Sequence, residues 1–450
     1  MLTRAAIAGA LPVLVVLIVA PRAAVAQQAP ANNSQSAGSQ PAIPPATPPQ
    51  TPQTPQTPQT LDKELQAGDE ELSTPKRNLI KWNHYDGDFF TIRAGAGFLE
   101  DFAAYSQDRA SKEQFQLFPE FKIRDTRALF SGAFKFERHP VSWSAGIMYD
   151  PPTEKFLVRQ TGVLFTVPEI SGYIFVGRQK EGISLNKIMN GYAGWTMERT
   201  EIGDATIPIL ADGIKWIGYS QEKHLVWNLG AFGDTFSEGQ TFSTYSHQFV
   251  GRIAWLPIEN DETVLHLGAA TRYGAPLDGM LQLRSRPEAF EAPYFIDTGK
   301  FPARSTQTSQ FEAYYRPRSF LIGTEYFVQS VNSPETGNPF FQGGQVVVSW
   351  LATGEIRPYN TIGGFFDGIS PARPVFQGGP GAWELVANLS YADLNSGPIQ
   401  GGKFWRFTPM VNWHVSDNVR LEIAYGYGSL RRFGLVGTTQ FFQSRLQLQL

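Results

Sequence analysis

The side chains with most to offer chemically in this 450-residue chain are basic ones set at alternate positions of extended segments. From 418 to 428, Val419, Leu421, Ile423, Tyr425 and Tyr427 alternate with Asn418, Arg420, Glu422, Ala424, Gly426 and Gly428. Successive side chains of a strand point to opposite faces, so such a segment has one apolar and one polar side. Extending that division along the chain puts Arg93, Arg127, Lys135, Arg159, Arg178, Lys180, Arg252, Arg272, Arg316, Arg406, Arg420 and Arg445 on the polar side. The acids of the same parity are Asp125, Asp150, Glu312, Glu325, Glu384 and Glu422, so bases exceed acids there about two to one, although the whole chain carries −3. A guanidinium offers parallel donors that match oxyanion geometry. A column of such groups beside water favours anions. Paired off against those acids, the same groups would instead give a weakly selective polar lining.

Other chemistry is not indicated. The histidines at 84, 139, 224, 247, 266 and 414 are scattered without metal-ligand spacing. There is no Gly-x-Ser-x-Gly elbow, no Walker-type phosphate loop and no nucleophile with an evident base. No catalytic residue, metal or cofactor is expected. The slightly acidic balance gives no reason for a nucleic-acid partner. Cysteine is absent, which rules out disulfides.

The elements that must carry these residues are strands. Sixteen are expected, at 89–99, 121–136, 141–150, 155–167, 171–180, 212–220, 223–234, 246–257, 262–273, 306–316, 319–330, 341–353, 381–394, 403–416, 418–429 and 438–450. Some are joined by very short turns, others by the long stretches 181–211, 274–305, 331–340 and 354–380. Short turns at one end and long loops at the other are the pattern of an outer-membrane barrel. Trp383, Tyr391, Trp405, Trp413, Tyr425 and Tyr427 fall toward strand ends on the apolar side, where aromatic girdles meet lipid headgroups. Lipid on the apolar face requires the sheet to close, because an open edge would leave backbone groups unpaired in hydrocarbon. A closed sheet of that many strands encloses a lumen too wide for its own side chains to fill, and water enters unless loops plug it.

Residues 1–26 read as a cleaved export signal: Arg4, an apolar core through Ala20, and Ala24-Val25-Ala26 as cleavage site. Residues 27–87 form a Pro/Gln/Thr-rich arm with a repeated Thr-Pro-Gln, expected to be extended and disordered in the periplasm, with cell-wall contact one possible use. Residues 88–450 are then an all-β, sixteen-stranded antiparallel transmembrane β-barrel with long extracellular loops.

Three places resemble a known family. Val176-Gly177-Arg178-Gln179-Lys180-Glu181-Gly182-Ile183-Ser184-Leu185, then Trp195-Thr196-Met197-Glu198-Arg199, and upstream Ile123-Arg124-Asp125-Thr126-Arg127-Ala128-Leu129-Phe130-Ser131-Gly132, resemble the phosphate-selective porin O and P family in residue type and order. The resemblance implies a trimeric outer-membrane porin whose inward-folded loop narrows the pore and whose basic residues guide anions. By position it implies roles for Arg124, Arg127, Lys180 and Arg199, with Arg159 and Arg178 next. Asp125, Thr126, Gly182 and Asn186 depart from the family pattern, and Asp125 weakens the local positive potential. The reading is a diffusion channel leaning toward phosphate or other small anions, with outer-membrane lipid and its own copies as partners. A general or weakly selective pore for small solutes, and a plugged structural or adhesive barrel, are the alternatives.

Overall fold

The computed structural model describes residues 83–136, 139–150, 154–234 and 245–450. The expected export signal, its cleavage site and nearly all of the arm lie outside the described residues.

The alternating segments do form strands, and each pairs antiparallel with the next. In chain order they are β1 (Phe90–Gln107), β2 (Glu120–Phe134), β3 (Val141–Asp150), β4 (Lys155–Val158 and Thr161–Val167), β5 (Gly172–Gln179), β6 (Ala211–Ser220), β7 (Leu225–Gly233) and β8 (Tyr245–Glu259). Then come β9 (Thr263–Pro276), β10 (Ser305–Pro317), β11 (Phe320–Asn332), β12 (Phe340–Leu351), β13 (Ala382–Ser396), β14 (Ile399–His414), β15 (Val419–Arg432) and β16 (Leu435–Gln449). The two parts of β4, separated at Arg159 and Gln160, both pair with β3. A three-residue strand, His84–Asp86, adds to β1.

The sheet closes through β16 and β1, from Gly97 opposite Gln449 to Gln107 opposite Thr439. Leu450 exchanges backbone hydrogen bonds with Ala96 at 2.7 and 3.2 Å. The result is a closed sixteen-stranded antiparallel barrel. Closure leaves no sheet edge, and each edge group would cost roughly several kcal/mol in hydrocarbon. Apolar side chains such as Phe249, Phe311 and Ile423 project from the outer face.

Because neighbours alternate in direction, every second connection lies at the end where β1 begins and β16 finishes, called here the terminal end. Trp227, Trp255, Trp350, Trp383 and Trp413 stand near this end of their strands on the outward parity. Trp383 and Trp413 stack at 5.1 Å, and both indoles donate to the Pro380 carbonyl. The expected girdle thus has a tryptophan-rich rim at one boundary.

Strand limits differ from expectation where acids interrupt the apolar pattern. The strand expected over 89–99 continues to Gln107, because Asp101 keeps the alternation and is held by Arg445. Lys135 was expected on the polar lining; it lies past the end of β2 and pairs with Asp86. The lining itself is not uniformly polar. Leu164, Tyr173, Phe175 and Ile217 are buried together with Ile362 of the 352–381 connection packed on them.

The long connections are also not all at one end. Those at 180–210, 277–304 and 333–339 are at the far end, but 352–381 joins β12 to β13 at the terminal end. Alternation along a strand carries no information about which end a loop occupies; the count of strands before it does.

Candidate functional site

Three of the long connections supply the interior. Loop 180–210 carries two short helices, α1 (Leu185–Ile188) and α2 (Glu201–Thr206). Its turn into α1 needs Gly182 at φ 86°, a left-handed conformation that glycine adopts without a steric penalty. The amide groups that open α1 point at wall carboxylates: Leu185 N–H donates to Glu312 at 2.8 Å and Asn186 N–H to Glu325 at 2.7 Å. The carbonyls that close α1 take cations. Lys180 Nζ donates to Met189 O at 2.6 Å and Ile188 O at 3.2 Å, while Arg199 donates to Asn186 O at 3.0 Å and Met189 O at 2.7 Å. Orphan groups at both ends of this single turn are therefore satisfied, as a buried helix end requires.

Further along, the wall grips the loop by its backbone. Gln447 donates to Tyr192 O at 2.9 Å, Arg420 to Gly194 O at 2.8 Å and Asn412 to Trp195 O at 2.9 Å. Glu198 sits between Arg124, which holds it bidentately at 2.7 and 3.0 Å, and Arg445 at 2.6 Å. Burial pushes the Glu198 carboxyl up, but the two guanidiniums outweigh it and hold it down at about 2. Tyr192 lies under the Arg127 guanidinium at 4.8 Å and feels Arg127, Arg445, Arg159 and Arg124; burial nevertheless raises its hydroxyl above the usual range. Its ring can sit there because residue 97 is glycine: a Cβ would lie 2.4 Å from the Tyr192 hydroxyl.

Loop 352–381 enters from the opposite end. Arg357 binds Glu384 at 2.7 Å and reaches across to Ala193 O of loop 180–210 at 2.8 Å. Tyr359 meets the His266 ring nitrogen at 2.6 Å, and Phe365 and Phe366 join Trp195, Tyr314 and Met189 in one buried cluster. The two loops thus pack on each other inside the barrel.

Loop 277–304 adds a column of alternating cations and rings. The Arg284 guanidinium lies 4.3 Å from the Tyr294 ring, Arg286 lies 4.8 Å from Tyr294 and 5.4 Å from Phe290, and Arg124 lies 4.6 Å from Phe290. Arg284 is exposed and the other two are half-buried. Such contacts fix the planes of the guanidiniums while leaving N–H edges for other partners.

Of the residues singled out in the sequence, Arg124, Arg127 and Arg159 gather around Tyr192. Arg124 owes its place to a β-bulge: Leu99 faces Asp125 and Glu100 faces Ile123, so Arg124 is the extra residue. Arg127 pairs with Asp125. Arg159 falls at the interruption of β4, its N–H bonded to Gly146 O at 2.8 Å. Arg178 stands apart. It pairs with Asp212 at 2.8 Å and donates to Val158 O at 3.0 Å, on the parity of outward-pointing Val176 and Ile214. Gly177, at φ 139°, disturbs the alternation just before it. Lys180 and Arg199 face backbone carbonyls of the loop.

Sequence reasoning missed Lys215, Arg284, Arg286 and Arg357. Lys215 had a signal, since it alternates with Ile214 and Trp216. The three loop arginines had none, because their placement follows from how the loops fold. Most wall arginines have a carboxylate: Arg252 with Glu312 at 2.7 Å, Arg445 with Asp101 at 2.6 Å, Arg272 with Glu181 and Arg420 with Glu422. Among the described residues no cluster of His, Asp or Glu is arranged to hold a metal.

A sequence profile described as phosphate-selective porin O and P matches residues 134–450. A curated relative, an uncharacterized protein of Caulobacter vibrioides, is 28% identical over 185 residues, which is 40% of this chain and 37% of the relative's length. Among solved structures, in-vitro folded OmpT of Vibrio cholerae is similar at TM-score 0.52 with 10% identity, covering 81% of this chain and 99% of that one. Its trimer form gives 0.51 with 10% identity over 81% and 100%. An anion-selective porin from Comamonas acidovorans gives 0.50 with 12% identity over 80% and 100%. At such identities these similarities speak for the fold.

Proposed function

The chain belongs to the phosphate-selective porin O and P family, and from that premise we propose that this outer-membrane porin is a water-filled channel favouring small anions, phosphate among them. The observation that carries the anion preference is the column of Arg284, Arg286 and Arg124 held on the rings of Tyr294 and Phe290. Arg284 and Arg286 make no ion pair among the described residues; one Arg286 N–H group goes to the Ala292 carbonyl, and the donors left over on the two guanidiniums are what a passing oxyanion would meet. An anion arriving from the far end exchanges part of its hydration for these donors at several weak sites, and leaves because no one site is deep. The positive field raises its local concentration. Arg127 and Arg159, with Arg445, extend that field beneath Tyr192. Lys180 and Arg199 act by positioning, since they clamp the α1 carbonyls and so set where loop 180–210 lies. Arg178 braces the wall.

In this reading the terminal end faces the periplasm. Residues 1–26 are removed on export, the arm 27–87 trails into the periplasm within reach of the cell wall, and the mature chain is a homotrimer. The sign of the reversal potential in a salt gradient across a planar bilayer tests the selectivity. An anion-selective sign that weakens in the Arg284→Gln/Arg286→Gln variant is expected; a cation-selective sign contradicts it.

A second reading, a weakly selective pore for small solutes, is favoured by the pairing of so many wall arginines with carboxylates, which leaves the wall close to neutral. Graded phosphate added against a chloride current separates the two: block that saturates supports the anion site, and a current that ignores phosphate supports the general pore.

A further inference from the structure

Between its paired segments Arg284–Ser285 and Ile296–Asp297, loop 277–304 lays residues 286–295 against the inner wall at β2, β14, β15 and β16. That segment buries two carboxyls, Glu288 and Glu291, against the wall, and the neighbouring helix α2 buries a third, Glu201, which is 0% exposed. No other residue donates to the Glu291 carboxyl, while Glu201 and Glu288 have only the Ser390 hydroxyl between them and a long bond from Asn388 to Glu288 at 3.4 Å. Glu201 and Glu288 meet beside the Ser390 hydroxyl of β13.

Arg406 of β14 lies near both carboxyls, but its donors go to Pro287 O and Gln443. Asp204 on α2, paired with Lys187, and Tyr105 on β1 lie on that side too, as do Arg286 of the segment itself and, on β2, Glu120 and Lys122, which pair at 2.9 Å while Lys122 Nζ donates to the Glu291 carbonyl at 3.3 Å. Glu291 faces Asp101, Glu198 and Arg445, and that arginine is already bound to the first two. One arginine beside two carboxyls cannot support both as anions.

We propose that segment 286–295 is a pH-sensitive gate: Glu201, Glu288 and Glu291 seat it as neutral acids, and their ionisation at higher pH releases it from the wall and widens the channel. The inference rests on the porin reading above. Burial is the main cause that raises Glu201 and pushes Glu288 and Glu291 up to about 7. A carboxyl raised in the seated state binds more protons there than when released. Seating is therefore favoured fully below the ordinary carboxyl range and lost as pH climbs to about 7. Each proton released passes to solvent water and no further covalent bond changes; release also exchanges for water the wall's hydrogen bonds to the segment's carbonyls, from Arg406 to Pro287, Gln443 to Glu288, Lys122 to Glu291 and Arg432 to Phe295. The segment carries Arg286 and Phe290, so its release also dismantles the arginine column.

Two measurements on the full mature chain test this. Single-channel conductance is recorded from about pH 5 to about pH 8 for the wild type and for Glu201→Gln/Glu288→Gln/Glu291→Gln, in which the seated protonation state is imitated. Wild-type conductance is expected to step upward across that range, and the variant to stay at the low level throughout. Independently, because the chain has no native cysteine, Ala289→Cys places one thiol at a position that is 0% exposed. Its labelling rate, divided by that of exposed Lys300→Cys, should rise over the same range. A wild-type conductance that ignores pH, or a labelling ratio that stays flat, overturns the gate alone. No conductance at any pH overturns the porin reading, and the gate falls with it.

Discussion

At the scale of single residues, the arrangement turns on guanidiniums that serve two masters. Arg445 binds Asp101 through two donors, reaches Glu198 and donates to the Met197 carbonyl. Replacing it by Gln leaves two buried carboxylates short of a partner, a loss of roughly 3–5 kcal/mol. Glu198 is held at about 2, a depressed value, so its contribution is complete above the ordinary carboxyl range and is lost only as pH falls through about 2. Arg445→Gln should lower the unfolding temperature in detergent and move acid unfolding up toward the ordinary carboxyl range. An unchanged acid midpoint would remove Arg445 from this role. Arg124, Arg127 and Arg159 were legible from the sequence because residue type and order are local. Their shared neighbour Tyr192 was not, because nothing near position 192 reports that Gly97 leaves room for its ring. Lys180 and Arg199 could be picked out from residue order alone; that their partners are the carbonyls of α1 required the fold of the loop.

At the scale of elements, the loops decide what the barrel can pass. Loop 352–381 is hooked to loop 180–210 by Arg357, whose guanidinium spans Glu384, the Ala193 carbonyl and the Asp367 carbonyl. Glu384 keeps Asn412 at 3.0 Å and His414 at 3.3 Å when Arg357 is changed. Arg357→Gln should therefore free loop 352–381 while sparing the barrel. The expected outcome is a larger single-channel conductance with heat-modifiable migration on gels unchanged; equal conductance would mean that this loop does not limit flow. The strands were readable because burying one face imposes a period of two that survives in the residue order. Loop paths impose no period. The Arg124 bulge shows the same limit within a strand, since one extra residue shifts parity and only the register against β1 reveals it.

At the scale of the whole molecule, lipid outside and loops inside divide the work. Closure between β1 and β16 removes the sheet edges, and outward aromatics place the barrel in the bilayer. The sequence carried this architecture plainly, down to the number of strands. It carried the interior poorly: apolar residues such as Phe175, Ile217 and Tyr314 face inward because loops cover them, so a simple rule of polar inside and apolar outside fails there. Loops packed from both ends also make flow through the lumen the claim most in need of a direct reading. The measurement is single-channel recording of the purified, refolded mature chain in a planar bilayer with chloride on both sides. Discrete, uniform conductance steps are predicted; a barrel that inserts and shows heat-modifiable folding yet passes no current would contradict the account.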